Sequence, residues 1–379
     1  MKVLIIGGGI SGAFIAYELL NRGLNNIVII ESSYPGSGAT LRNMGCFRSS
    51  FTSVEHITLM KKSIETWIKL RDKLGLKLKQ TGYLWVARKE ETVEAFKKLV
   101  AFHNEHGVPT KIIEPDEAKN IEPKLNTKII SGAMFDPTAG RMDILDVFTK
   151  LHLELKKHGV KVFNYTKAIK LSTRGEKVVS VETQRGILEA DVFVVAAAEG
   201  SVELLRTIGV DLPIQPIPRH PIITEPYAEV LKPALIIDWD TPGSPHVTQT
   251  EHGSIIMARD IADRPQLPLN SHRIDAFHLI IKPLSELLPI LSRVNIARYW
   301  LGYYDMTPDH HPILGPIELY SNLYIAAGFS GHGLMMAPAT GSIIADWILE
   351  GKPSIPIANN LTLKRFKEGK YVRELAVIG

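Results

Sequence analysis

The order of parts in the first 31 residues limits this chain more than any other feature. Lys2-Val3-Leu4-Ile5-Ile6 is a short, almost wholly apolar run, as a buried parallel strand requires. It leads straight into Gly7-Gly8-Gly9-Ile10-Ser11-Gly12, where Gly7, Gly9 and Gly12 supply G-x-G-x-x-G. A helical stretch follows, with Ala16, Leu19 and Leu20 on one face and a stop at Gly23. A second apolar run, Ile27-Val28-Ile29-Ile30, ends in Glu31, which lies 19 residues past Gly12. Gly7 makes the tight turn after the strand. Gly9, having no Cβ, lets a pyrophosphate approach the backbone, and Gly12 lets helix and strand pack closely. The helix N-terminus carries partial positive charge and suits a diphosphate, while Glu31 can accept hydrogen bonds from ribose hydroxyls. The glycine pattern alone is weak evidence. Strand, glycines, helix, strand and acid in order point to a bound adenine dinucleotide, the alternative being a glycine-rich turn of structural meaning only.

At 379 residues the chain suits two domains. Its 45% hydrophobic and 22% charged content is that of an ordinary globular protein. There is no apolar run long enough for a transmembrane helix, and the first strand begins one residue after Met1, which leaves no room for a signal peptide. A single cysteine, Cys46, excludes an intrachain disulfide and fits a reducing interior, so a cytoplasmic protein is expected, with peripheral membrane contact as the variant. The net charge of +4 is mild, and no basic stripe with interleaved aromatics argues for nucleic acid. Lys364, Arg365, Lys367, Lys370 and Arg373 read as a solvated helix, with docking to a partner or membrane as the alternative. Abundant lysine, Ile-rich strands and one cysteine suit a thermophile.

Further along, Val54–Leu74 reads as a helix, Thr81–Ala87 as a strand, and Glu90–His106 and Asp116–Asn120 as helices. Ile129–Phe135 reads as a strand and Asp143–His158 as a helix. Strands follow at Lys161–Phe163, Ala168–Thr173, Lys177–Thr183 and Gly186–Glu189. Ala190–Val195 then runs into Ala196-Ala197-Ala198, small residues at the end of what reads as another strand of the first sheet. The Pro-rich stretch from Ile214 to Trp300 carries short alternating runs that suit a mostly antiparallel sheet covering a site. Nucleotide-domain character returns at Asn322–Ala327, followed by Gly328-Phe329-Ser330-Gly331-His332-Gly333 and a helix from Leu334 to Leu349. The expected fold is α/β. A Rossmann-like, doubly wound and mostly parallel domain takes residues 1–80, 142–212 and 306–379. An inserted α+β substrate domain with a largely antiparallel sheet takes 81–141 and 213–305.

Three blocks together resemble the D-amino-acid-oxidase-like family of FAD oxidoreductases. The first runs Gly7, Gly9, Gly12, Ala16, Leu19, Gly23; the second is Gly302-Tyr303-Tyr304-Asp305-Met306-Thr307-Pro308-Asp309-His310-His311-Pro312-Ile313-Leu314-Gly315; the third is the glycine block at Gly328. Gly38 with Arg42-Asn43-Met44-Gly45-Cys46-Phe47-Arg48-Ser49 is most similar to the β subunits of heterotetrameric sarcosine oxidases and archaeal dye-linked L-proline dehydrogenases. The resemblance implies FAD and oxidation of the C–N bond of a secondary amino acid. It also implies the contacts. FAD is expected on Gly7, Gly9, Ile10, Ser11, Gly12 and Glu31. Next come Ser32, Ser37, Arg42, Asn43, Met44 and Gly45, with Ala168, Ala197 and Gly302. Gly331, His332, Gly333, Leu334 and Met335 complete the set.

Arg48 falls where the family places a carboxylate-binding arginine, whose fork matches a carboxylate bidentately; a salt-bridging arginine is the alternative. Tyr304 matches a family position facing substrate, though a core tyrosine is open. His332 is a candidate second base or a structural residue. The glycine turn and the following helix end suit the negative edge of a reduced flavin. His310-His311 lacks a third ligand at metal spacing, so no metal is expected. Monomeric sarcosine oxidases attach FAD through a cysteine at the position of Gly302, which implies non-covalent FAD here. Their glycine-block lysine is Met335, and their oxygen-activating lysine maps near Ile256. Electrons are therefore expected to pass to a dye, quinone or partner flavin. An α subunit with FMN, a homo-oligomer, an NAD-dependent dehydrogenase and a non-enzymatic nucleotide-binding module remain alternatives.

Overall fold

The computed structural model describes residues 1–261, 271, 273–371 and 373–377. Part of the expected inserted unit, 262–270, lies outside them. Six strands form the first sheet, in the order Ile313–Pro316, Leu323–Ala327, Val192–Val195, Val3–Ile6, Ile27–Ile30, Lys161–Phe163. All neighbours are parallel except Ile313–Pro316, which runs antiparallel at the edge. The Val3–Ile6 strand is central and fully buried, as its unbroken apolar run requires. The chain leaves it for Ile27–Ile30 on one side, and Val192–Val195 flanks it on the other. Its carboxyl end is thus the switch point where such sheets bind ligands.

Helix Ile10–Asn21 packs against helix Gly333–Glu350 so closely that a Cβ on Gly341 would stand 2.6 Å from the Phe14 carbonyl oxygen. The first helix of the chain and the last long one therefore share a face of the sheet. Helix Val54–Leu74 lies beside them. It starts at Ser53, whose Oγ accepts the His56 N–H at 3.4 Å, and stops at Gly75 in a left-handed conformation (φ 64°). Pro338 interrupts helix Gly333–Glu350, and this second helix mends the break. Ser63 Oγ accepts the Ala339 N–H at 3.1 Å and donates to the Met336 carbonyl, while Trp67 Nε1 donates to the Met335 carbonyl at 3.2 Å.

The second large sheet has eight strands. Its order is Ile296–Tyr299, Ile222–Pro226, Ser254–Ala258, His246–Gln249, Leu235–Asp238, Tyr83–Ala87, Gly132–Asp136, Lys111–Ile113. It is antiparallel apart from the parallel pair of Leu235–Asp238 with Tyr83–Ala87. A two-stranded ribbon, Gln215–Arg219 with Gly302–Met306, pairs Arg219 with Gly302 and Ile217 with Tyr304. The expected strand from Ile129 begins three residues later, because Thr127–Ile129 forms a 3-10 turn. The basic run near the C-terminus is only partly a solvated helix. Arg365 is buried and forms a two-pronged ion pair with Asp309, at 2.7 and 3.0 Å. It also donates to the Leu361 and His311 carbonyls.

Candidate active site

One cavity of about 640 Å³ runs along the switch point and out to the ribbon. That volume lies within the roughly 300–1,000 Å³ typical of cofactor and ligand sites. At one end its wall is Gly7, Gly9, Ile10, Ser11, Glu31 and Ser32. The Glu31 carboxylate receives the Gly8 N–H and the Ser33 N–H, each at 2.9 Å, and the Ser32 hydroxyl at 3.0 Å. It ties the glycine loop to the end of the second strand while facing the cavity. Gly9 begins helix Ile10–Asn21 with no side chain of its own to cap it; Thr40 Oγ1 accepts the Ile10 N–H at 3.0 Å, and Gly9, Ile10 and Ser11 of this positive end line the cavity. The loop supplies Ser37, Arg42, Asn43 and Met44, and the strand ends supply Ala168 and Ala197.

The far end carries the ribbon and the glycine block: Gly302, Tyr304, Asp305, Gly331, Gly333 and Leu334. The turn is conformationally demanding, with positive φ at Gly328 (73°), Ser330 (51°) and Gly331 (94°). Asp305 helps to hold it, Oδ2 accepting the Gly328 N–H at 2.7 Å. Burial, with a smaller push from Glu199, raises the Asp305 carboxyl to about 7 against the pull of the Gly328 and Phe329 amides. Burial likewise pushes the Tyr304 hydroxyl up to about 12, so it stays a donor at neutral pH. Helix Gly333–Glu350 also starts without a side-chain cap.

Five expected site residues do not reach the wall of the cavity. Gly12 sits behind it, where a Cβ would stand 2.1 Å from the Gly7 carbonyl oxygen; its part is helix–strand packing. Gly45 turns the loop at φ 80° with its Cβ position against the Met142 carbonyl. Met335 is a core side chain of the mended helix. His332 faces inward: its Nδ1 lies 3.2 Å from His56 Nε2, and its ring stacks edge-on against Phe51. Burial first, then neighbouring positive groups, push both imidazoles well below their ordinary value, so the pair is neutral at pH 7.

Arg48 is the fifth, and wholly buried. Its guanidinium lies 3.6 Å from the Phe51 ring centre and donates to the Ser50 carbonyl and, at 2.6 Å, to the Ala376 carbonyl. The next residue, Val377, lines the cavity. That segment is latched by the buried Glu374, whose carboxylate accepts from Thr52 N–H, Thr52 Oγ1 and Ser53 Oγ. Sequence patterns gave no sign of this latch, nor of Arg219, which lines the cavity with its guanidinium 4.6 Å over the Tyr304 ring.

A cradle of glycines at the phosphate end, an acid placed for a ribose, and a second glycine turn with an uncapped helix end define a dinucleotide-dependent oxidoreductase. The chain belongs to the DAO family of FAD-dependent oxidoreductases, whose profile matches residues 2–347. FAD therefore replaces the nicotinamide alternative. The chain is similar to mitochondrial dimethylglycine dehydrogenase of Rattus norvegicus, 26% identical over 371 residues, 93% of this chain but 43% of that protein; it thus spans less than half the length of that relative. It is similar to sarcosine oxidase subunit beta of Rhodobacter capsulatus, 26% identical over 387 residues, covering all of this chain and 91% of that one. The crystal structure of L-proline dehydrogenase from P. horikoshii matches with a TM-score of 0.93 at 34% identity, over 98% of this chain and 99% of that chain. Among the described residues no helix is long and apolar enough to cross a membrane, and no cluster of three His, Cys, Asp or Glu could hold a metal.

Proposed function

We propose that the chain oxidises the C–N bond of a secondary amino acid such as proline or sarcosine and passes the electrons to an acceptor other than oxygen. FAD, held without a covalent bond, supplies the hydride-accepting ring. The observation that carries this reading is the shared cavity: the glycine loop and the glycine turn line one space that ends at Tyr304 and Arg219. A phenol donor and a guanidinium at that end suit an amino acid's carboxylate. Residues 1–80, 142–212 and 306–379 hold the cofactor, and 81–141 with 213–305 cover the substrate. The relatives named for proline and sarcosine support the substrate class, and the one named for dimethylglycine, a tertiary amine, supports C–N oxidation of an N-substituted amino acid more broadly.

The test is anaerobic mixing of the FAD-loaded protein with a panel of sarcosine, L-proline, D-proline, hydroxyproline and glycine. Flavin bleaching by at least one is expected, with turnover on a dye and little peroxide in air. A flavin that no amino acid bleaches ends the reading, and rapid peroxide formation ends its acceptor half. Acid precipitation is expected to release all the flavin. A second reading, a β-type subunit that needs an α partner carrying its own acceptor, is favoured by the relative named as a subunit. Dye reduction by the chain alone separates the two.

A further inference from the structure

Resting on the proposed oxidation of an amino acid, we infer that Arg219, and not Arg48, is the cation that receives the substrate's carboxylate. The inference begins with what stands between Arg48 and the cavity. Arg48 is fully buried, and the Ala376 carbonyl holds its Nη2 at 2.6 Å. Val377, one residue on, forms part of the cavity wall that Arg48 does not reach. The segment is fixed on both sides. Glu374 accepts from Thr52 and Ser53, the Leu375 N–H reaches Thr52 Oγ1 at 2.9 Å, and the Glu374 N–H reaches the Asp309 carbonyl at 2.9 Å. A carboxylate bound at Nη2 of Arg48 would have to displace that carbonyl, which the latched segment holds in place. Arg48 is better read as a positioning residue that ties the Ser50 loop to this segment.

Among the described residues, three other cations line the wall. Lys167 adjoins Ala168 and Thr166, whose N–H bonds the Glu31 carbonyl, so it belongs to the nucleotide end. Arg42 is held by the Ser37 and Gly38 carbonyls. Arg259 donates to the Pro242 and Leu279 carbonyls. Arg219 alone of these stands over Tyr304.

The ribbon explains that placement. Arg219 pairs directly with Gly302, and Ile217 pairs with Tyr304. Residues two apart share a face, so Arg219 and Tyr304 are diagonal neighbours on one face. Gly302 has no side chain to fill the space across from Arg219, and all three residues line the cavity. Asp260 fixes the guanidinium, with Oδ1 2.9 Å from Nε and Oδ2 3.3 Å from Nη2. Among the described residues, Nη1 makes only a long contact, 3.4 Å, to the Pro218 carbonyl. A guanidinium carries five N–H donors, so the Asp260 pair does not exhaust it.

The experiment titrates the FAD-loaded protein with pyrrole-2-carboxylate, and with pyrrole as the carboxylate-free control, following the flavin absorbance. Arg219→Gln is expected to weaken pyrrole-2-carboxylate about 30- to 1,000-fold, as loss of a charge-paired donor does, and to leave pyrrole within about threefold. Arg219→Lys, which keeps the charge without the fork, should fall between wild type and Arg219→Gln. Arg48→Lys should leave pyrrole-2-carboxylate within about fivefold. Retained carboxylate binding in Arg219→Gln overturns the inference. So does a thiol at Val377→Cys that a maleimide labels faster when pyrrole-2-carboxylate is bound, since the segment would then be lifting from Arg48. The one natural cysteine, Cys46, is buried and stays silent. Because binding is read without turnover, a wild type that no amino acid reduces sinks the proposed reaction but leaves this result to be judged by itself.

Discussion

Gly331→Ala is the sharpest perturbation of the site, because two separate effects converge on one atom. Gly331 sits at φ 94°, where a side chain is strained, and an added Cβ would stand 2.4 Å from Tyr304 Cε2 and 2.7 Å from Cζ. Ordinary carbon contacts begin near 3.4 Å, so the ring must move by about 1 Å or the turn must deform. The backbone costs roughly 1–2 kcal/mol and the overpacking roughly 1–3 kcal/mol, about 2–5 kcal/mol together. With an unfolding entropy proportional to chain length, that corresponds to a Tm lower by roughly 3–6 °C. The displaced ring also disturbs the guanidinium of Arg219 stacked on it, so binding of pyrrole-2-carboxylate should weaken with stability. The assay is thermal unfolding with and without FAD, alongside the flavin titration. Gly38→Ala is the control: Gly38 lines the same cavity, has no positive φ, and a Cβ there meets nothing within 4 Å. It should stay within about 0.5 kcal/mol of wild type. A Gly331→Ala protein as stable as Gly38→Ala, with ligand binding intact, would falsify the account of the turn.

Two further outcomes are expected. Glu31→Gln replaces one acceptor oxygen by an amide that must face a backbone N–H, either that of Gly8 or that of Ser33. The loss of about 1–3 kcal/mol should weaken FAD roughly 5- to 150-fold, read by quenching of flavin fluorescence on the apoprotein; a change of twofold or less contradicts it. Asp305 binds its proton more tightly folded (about 7) than in its ordinary state (3.8). Its contribution is therefore full below pH 4 and is lost as pH rises towards 7, by at most about 4 kcal/mol. Asp305→Asn should flatten the fall in stability between those limits, and denaturant unfolding at several pH values that gives parallel curves for both proteins rules this out.

The nucleotide end was legible almost residue by residue, because every signal there is local: an apolar run, glycines at fixed offsets, an acid at the next strand end. Helix Val54–Leu74 was legible for the same reason, with Ser53 and Gly75 marking its ends. The far end was legible only as a pattern of glycines. Arg219 reaches Tyr304 through strand pairing with a segment more than 80 residues away, and His56 meets His332 across 276 residues; neither leaves a local trace. Arg48 illustrates the converse. Its position in the sequence pointed to substrate, yet its surroundings are set by Ala376, 328 residues on. Arg365 looked like one more surface charge until Asp309 claimed it.

Pro338 carries a consequence for anyone redesigning the protein. The hydroxyl and the indole that complete its helix are borrowed from Ser63 and Trp67. Neither helix can therefore be grafted, shortened or swapped between homologues by itself. The proline, Ser63 and Trp67 have to travel together, and a chimera that splits them would strand the buried Ala339 amide and the Met335 carbonyl.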